Sequence, residues 1–283
     1  MVRTVSEAPT TEPVTGSGEQ NSPGRPTEEQ APPAKRSTRS KMSRETLLLL
    51  ISIPALVIIV GAGWAIWRSQ AELDSIEQRQ LEWGTIGTLI VQHIQLSLVA
   101  TVLVLIIAIP LGVLLTRPGA KKFAPAVVNV ANMGQSAPAI GLFVLLAIWI
   151  GFGFWTAIVA LTLYGILPVL ANTIAGLQGV DQTLVEAGRG MGMSNAAVLT
   201  RIELPLAVPV IMVGVRTALV LVVGVATFAT FIDAGGLGTL ITTGVNLFRF
   251  PILISGAILV ALLALVIEWL GRVLEMVARP KGI

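Results

Sequence analysis

The chain has 283 residues, of which 54% are hydrophobic and only 12% charged. With a mean hydropathy of +0.81, against roughly 25% charge in ordinary globular domains, a soluble domain is excluded and an integral membrane protein is expected. The net charge of +3 is small and its basic residues flank apolar runs, which argues against nucleic acid as a partner, while the absence of cysteine excludes disulfides and thiolate chemistry.

Residues 1–43 are rich in Pro, Glu, Ser, Thr and Gly. They offer almost no large apolar side chains to drive collapse, so a disordered tail is expected. Having no apolar core near Met1, the tail does not read as a cleavable signal peptide. It ends in Lys35, Arg36, Arg39, Lys41 and Arg44, directly before an apolar run. Such a cluster holds the N-terminus in the cytoplasm.

A membrane helix needs about 20 mostly apolar residues, because the hydrocarbon layer is about 30 Å thick and each backbone polar group must pair within the segment. Six runs meet that need, at about residues 46–67, 88–116, 123–150, 155–177, 206–231 and 251–274. The expected architecture is therefore all-α, with six transmembrane helices and the bilayer as a partner. Residues 44–84 read as the first span and an external loop carrying Glu72, Asp74, Glu77 and Glu82. Arg117, Lys121 and Lys122 mark the second span's inner end, and Arg272, Arg279 and Lys281 leave the C-terminus inside. Trp64, Trp67, Trp83, Trp149 and Trp155 gather at expected outer boundaries, and Trp269 falls near an inner one.

The third span is the most polar of the six. Asn129, Asn132, Gln135 and Ser136 occupy its first half and Pro138 its middle. Polar groups in hydrocarbon are costly, so these four either line a translocation path or hydrogen-bond between helices. Pro168 is expected to kink the fourth span.

Between the fourth and fifth spans lies a charged insertion, residues 181–205. Asp181 is placed to cap a helix through Val185 and Glu186, Gly190 and Gly192 to break it, and Ser194 to cap a second short helix running toward Glu203. Pro205 suits the first turn of the next span. A two-helix elbow at the membrane surface follows.

The elbow resembles the cytoplasmic EAA loop of ABC-importer permeases. That pattern has Glu-Ala-Ala, a glycine four residues after the second alanine, and a closing Ile-x-Leu-Pro. Here the matching positions are Glu186, Ala187, Gly192, Ile202, Leu204 and Pro205, with Gly188 in place of the second alanine. The resemblance covers about residues 85–275, the permease domain being expected over 85–283. It implies a type I importer fold and a loop docking on a separate ATPase subunit, Glu186 being a charged contact and Gly192 the tight turn.

Gln135-Ser136-Ala137-Pro138-Ala139, the run from Leu163 to Pro168, Gly192-Met193-Ser194 and Gly235-Gly236-Leu237-Gly238 look like the permeases for glycine betaine, carnitine, choline and related osmoprotectants. The resemblance further implies an extracytoplasmic binding protein, a dimer with a second copy or a similar permease, and a multi-pass place in the cell membrane with both termini cytoplasmic. With one Tyr in the chain, an aromatic cage for a quaternary ammonium group is expected on the binding protein.

Neither catalytic nor metal-binding motifs occur, and the phosphate-cradling Gly-x-x-x-x-Gly-Lys-Ser/Thr pattern is missing. No cofactor is expected, and ATP hydrolysis belongs to another subunit. Arg216 and Glu268 fall at similar depths of antiparallel spans, where an ion pair staples two helices or, alternatively, relays protons. His93 is expected to make a helix-end hydrogen bond rather than to bind metal. Gly235-Gly236-Leu237-Gly238 forms either a plain turn or a surface that the binding protein approaches closely. A secondary transporter or channel, or an importer permease for another small solute such as an amino acid, is the alternative reading.

Overall fold

The computed structural model describes residues 44–278, with side chains over 50–276. The tail over 1–43 and the charges at Arg279 and Lys281 lie outside the described residues, and with them the expectations placed there. Among the described residues the regular structure is all helical. In chain order run α1 (Arg44–Gln70), α2 (Ser75–Gln80), α3 (Trp83–Leu115), α4 (Ala124–Ser136), α5 (Ala139–Ile150) and α6 (Phe154–Gln178). They are followed by α7 (Gln182–Gly190), α8 (Asn195–Val198), α9 (Leu204–Val225), α10 (Gly238–Asn246) and α11 (Phe250–Ala278). Five helical runs are long and apolar enough to span a membrane, and α4 with α5 makes a sixth if the bent pair is one span.

The centre is a three-helix unit of α3, α6 and α9, in which α6 lies against both neighbours. Missing β-carbons permit the approach. A β-carbon on Gly165 of α6 would sit 2.8 Å from a Val104 methyl of α3 and 3.0 Å from a Val222 methyl of α9. One on Gly112 would meet Thr173 at 2.7 Å, and one on Gly214 would meet the Pro168 carbonyl at 2.6 Å. Lipid tails are as apolar as leucine, so close van der Waals contact through small residues drives such packing more than hydrophobic burial does. Val104, Ala108, Val169, Leu170, Ala207 and Ala218 are buried there.

The sequence predicts one span over 123–150, but the structure bends it by 98° between α4 and α5. Pro138 is the reason. Its ring pushes the preceding residue out of helical geometry, and Ala137 is extended at φ −65°, ψ 144°. The interruption leaves carbonyls without helical donors. The Tyr164 hydroxyl of α6 donates to the Ala137 carbonyl, while the Pro138 carbonyl takes the first bond of α5 from the Leu142 N–H at 3.0 Å.

Helix α1 stands at the edge and packs on α11. Two indole hydrogen bonds pin it: Trp64 Nε1 donates to Ser255 Oγ at 2.9 Å, and Trp269 Nε1 donates to the Leu50 carbonyl at 2.9 Å. Trp64, expected at a membrane boundary, is only 7% exposed, because its ring serves this inter-helix bond and stacks edge-on against Trp83. Trp67, Trp83, Trp149 and Trp155 remain exposed. Two apolar crevices open between α1 and α11, one of about 340 Å³ beside Trp64 and one of about 180 Å³ beside Trp269.

Tyr164 is 5% exposed, so Tyr164→Phe leaves the Ala137 carbonyl without its donor. A cost of about 1–3 kcal/mol is expected from an unsatisfied buried acceptor. A lowered thermal midpoint of the detergent-solubilised protein checks it, with Phe152→Tyr at an exposed position as the control that leaves the midpoint in place.

Candidate functional site

The elbow forms as helix, turn and helix. Asp181 Oδ1 accepts from the Thr183 N–H at 2.9 Å and from the Thr183 hydroxyl at 2.6 Å. These bonds hold its carboxyl below the usual carboxylate range, so the cap stays ionised beside the positive end of α7. Helix α7 ends at Gly192 (φ +83°), whose N–H donates to the Arg189 carbonyl at 2.9 Å while the Met193 N–H reaches back to the Gly188 carbonyl at 3.1 Å. This paired closure of a helix end requires a left-handed residue where Gly192 stands. Ser194 Oγ then accepts from the Ala197 N–H at 3.3 Å and starts α8.

The second arm differs from expectation. Helix α8 does not stop before the next span; it passes through a wide π-turn, Leu199–Glu203, straight into α9, so that residues 195–232 form one continuous run. Pro205 accounts for the widening, since it has no N–H for the carbonyl four residues back. Gly188, the departure from the EAA pattern, lies against the second arm. A β-carbon there would lie 2.6 Å from Ile202 Cδ1 and 3.4 Å from Met193 Sδ, so α7 rests its bare face on the second arm. Val185 and Gly188 are buried, whereas Glu186, Ala187, Leu184 and Met191 face outward; Ile202, Leu204 and Pro205 are half-buried.

Sequence reasoning missed a polar bond between the elbow and α3. Arg117 Nη2 donates to Glu203 Oε2 at 2.5 Å, with the Glu203 side chain 9% and the Arg117 side chain 32% exposed. Arg117 also donates to the Thr116 hydroxyl through Nε at 3.2 Å and Nη2 at 2.9 Å. A cavity of about 450 Å³ beside the pair is lined by Lys121, Gln178, Gln182 and Arg189 among others. The signal was visible as an arginine at the end of one span and a glutamate at the start of another, but nothing in the sequence relates the two.

The four polar residues of α4 gather on the face turned away from the rest of the chain. Asn129, Asn132 and Ser136 are exposed and Gln135 is half-buried. Ser136 Oγ donates to its own helix at the Asn132 carbonyl, 2.8 Å away. Among the described residues the side chains of Asn129, Asn132 and Gln135 have no hydrogen-bond partner, so they do not join α4 to another helix of this chain. Val130 and Met133, 68% and 74% exposed, flank them.

Arg216 and Glu268 come within 3.7 Å, but as part of a larger cluster. Arg216 Nη1 lies nearer Glu275, at 3.1 Å, and Arg272 Nε donates to Glu268 at 2.8 Å. The stem of Arg216 crosses α11 at Gly271, where a β-carbon would meet its Cγ at 3.2 Å.

At the opposite end of the three-helix unit, His93 is fully buried. The Leu237 N–H donates to its Nδ1 at 3.2 Å, which fixes the proton on Nε2 for donation to the Val223 carbonyl at 3.0 Å. The Gly236 N–H donates to Gln92 Oε1 at 3.0 Å. The loop needs its glycines there for internal fit: Gly235 and Gly236 have φ of +79° and +89°, and a β-carbon on Gly235 would fall 2.3 Å from Gln92 Oε1.

Comparison with known proteins places this geometry in a family. Residues 108–278 match the model of the binding-protein-dependent transport system inner membrane component. The glycine betaine/carnitine/choline transport system permease protein OpuCB of Bacillus subtilis is 42% identical over 192 residues, covering 68% of this chain and 88% of that protein. The osmoprotectant import permease protein OsmW of Salmonella typhimurium is 39% identical over 216 residues, covering 75% of this chain and all of that protein. The carnitine transport permease protein OpuCD of Listeria monocytogenes is 38% identical over 218 residues, covering 74% and 97%. Among solved structures, an inward-facing form of the MetNI methionine ABC transporter superposes with a TM-score of 0.60 at 23% identity, over 69% of this chain and 96% of that one. The shared fold, the family match over most of the bundle and the identity to these permeases lead to one conclusion: the chain belongs to the family of inner membrane components of binding-protein-dependent transport systems.

Proposed function

We propose that the chain is the membrane-spanning permease of an ATP-driven importer for small osmoprotectants of the glycine betaine, carnitine and choline type. The substrate class follows the relatives, whose names specify those solutes. In this reading the elbow faces the cytoplasm and docks on a separate ATPase subunit, a binding protein delivers the solute from outside, and two permease chains enclose the path. Both termini then lie in the cytoplasm.

The observation that carries this reading is the build of the elbow. Its first arm presents Glu186 and Ala187 outward with apolar Leu184 and Met191 beside them, a mixed surface of the kind a protein partner covers. Its second arm is continuous with α9. A push on the elbow by a closing ATPase dimer therefore reaches the bundle as tilt of a whole helix, a rigid-body switch rather than a local rearrangement.

The path is assigned to the face of α4. Irregular backbone at membrane depth is tolerated only inside protein or against water, and broken helices mark solute sites in transporters. The amides of Asn129, Asn132 and Gln135, which have no hydrogen-bond partner among the described residues, lie on that helix, and the break at Ala137 and Pro138 is at its end. A second permease chain across from α4 gives these groups a watery seam instead of lipid. The Arg216–Glu268 contact, with Glu275 and Arg272, is assigned to holding α9 and α11 together.

The reading is tested by reconstituting the permease with its ATPase and binding protein and offering radiolabelled glycine betaine, carnitine or choline. Accumulation that requires ATP and the binding protein is expected; accumulation driven by an ion gradient without the ATPase overturns it.

Gly192→Val places a β-branched residue at φ +83°, a conformation costing of order 1–3 kcal/mol for such a residue. The variant is expected to reach the membrane but to move several-fold less solute per ATP hydrolysed, and an unaltered ratio counts against the docking role.

Asn132→Leu removes an amide with no partner within the described residues. A change in uptake rate or apparent affinity is expected, with thermal stability held within about 0.5 kcal/mol as for a surface substitution; unchanged transport kinetics remove Asn132 from the path.

A further inference from the structure

Helices α3 and α9 touch each other far less than each touches α6, yet polar bonds join them at both ends. At the elbow end, Arg117 just past the end of α3 pairs with Glu203, the last residue before α9. At the other end, His93 of α3 donates to the Val223 carbonyl near the end of α9. The bonded residues are 24 apart on one chain segment and 20 apart on the other, or about 36 Å and 30 Å of helix at 1.5 Å per residue.

We propose that the Arg117–Glu203 pair is a coupling device: it yokes α3 to the elbow, so that tilt of the elbow drives α3 and α9 together and reaches the Gly235–Gly238 loop at the far end. This rests on the elbow being the site where the ATPase acts. Arg117 and Glu203 are positioning residues, since neither is assigned to the solute path.

Three observations converge on this role. Glu203 is nearly buried and accepts from Arg117 alone among the described residues, and Arg117 is itself steadied by the Thr116 hydroxyl. A largely buried ion pair gives little net stability over apolar side chains of the same shape, so what this pair supplies is a fixed register between two helices that otherwise touch each other little. Next, the cavity of about 450 Å³ separates α7 from the end of α3. Direct packing of the first arm on α3 is correspondingly thin, and Glu203 at the root of the second arm is the polar point of attachment.

Finally, the far loop rides on α3 as well as on its own helix. The N–H groups of Gly236 and Leu237 donate to Gln92 and His93 of α3, so a shift of α3 along its axis carries the loop with it. Without the pair at the elbow end, α9 would tilt while α3 lagged. The hydrogen bonds on His93 would then be strained rather than moved.

The test uses the full complex with ATPase and binding protein in vesicles, reading radiolabelled solute moved per ATP hydrolysed, with whichever of glycine betaine, carnitine or choline the wild type accumulates. Glu203→Met keeps the side-chain length and removes the charge. The ratio is expected to fall by about fivefold or more, the lower end of ordinary coupling strengths. Because the chain has no cysteine, Arg117→Cys combined with Glu203→Cys can be joined selectively by a short bismaleimide. The unjoined double variant is expected to show the same fall and joining it to restore the ratio, whereas a merely structural role would lower transport and hydrolysis together and leave the ratio unchanged.

An unaltered ratio in Glu203→Met, or loss of transport on joining the two positions, overturns the proposal; if Glu203→Met does not assemble, the joined variant decides alone. Gly192→Val, run in parallel, separates the two levels. If it uncouples transport while the pair variants do not, only the yoke is wrong; if it has no effect, the elbow itself is not where the ATPase acts.

Discussion

Within a bilayer no water is at hand to satisfy a peptide group, so each carbonyl and N–H at a helix end must find its partner in the protein. This constraint governs the places where the chain is not plainly helical. At Ala137 a tyrosine hydroxyl from α6 substitutes for the donor that Pro138 took away. At Leu237 a histidine ring accepts one amide and donates to a carbonyl of a third segment. Each solution fixes one irregular segment relative to a neighbouring helix, which is why irregular backbone here coexists with definite geometry.

The second determinant is the economy of side-chain volume at helix contacts. Gly112, Gly165 and Gly214 let α3, α6 and α9 approach until backbone and methyl groups touch. With so little side chain between them, α6 cannot repack gradually against either neighbour. The charged groups lie around this unit and not within it. Arg117 with Glu203 borders one end, and Arg216 with Glu268, Arg272 and Glu275 attaches α11.

Much of this was legible in the sequence. The apolar runs gave the helices, because length and hydropathy suffice for a span. Asp181, Ser194 and Gly192 gave the elbow, because capping and left-handed turns have local chemical requirements. The position of Pro138 was visible, but its consequence was not: proline inside a span either kinks it slightly or breaks it, and the hydroxyl that satisfies the broken end, on Tyr164, is 27 residues away. Partners distant in sequence were the common omission. Arg117 with Glu203, and His93 with Leu237, are 86 and 144 residues apart, and no periodicity encodes such pairings. Glu268 was matched to Arg216, while the nearer Glu275 was missed because one helical register or the next is decided by how α11 rotates against α9.

Helix α1 is peripheral to the three-helix unit. It leans on α11 along one face, held by two indoles and separated elsewhere by apolar crevices, and it falls outside the stretch that matches the family model. A span attached so lightly makes little demand on the residues beneath it. Loss of such an outrigger would leave the contacts among α3, α6 and α9 in place, since none of them runs through it.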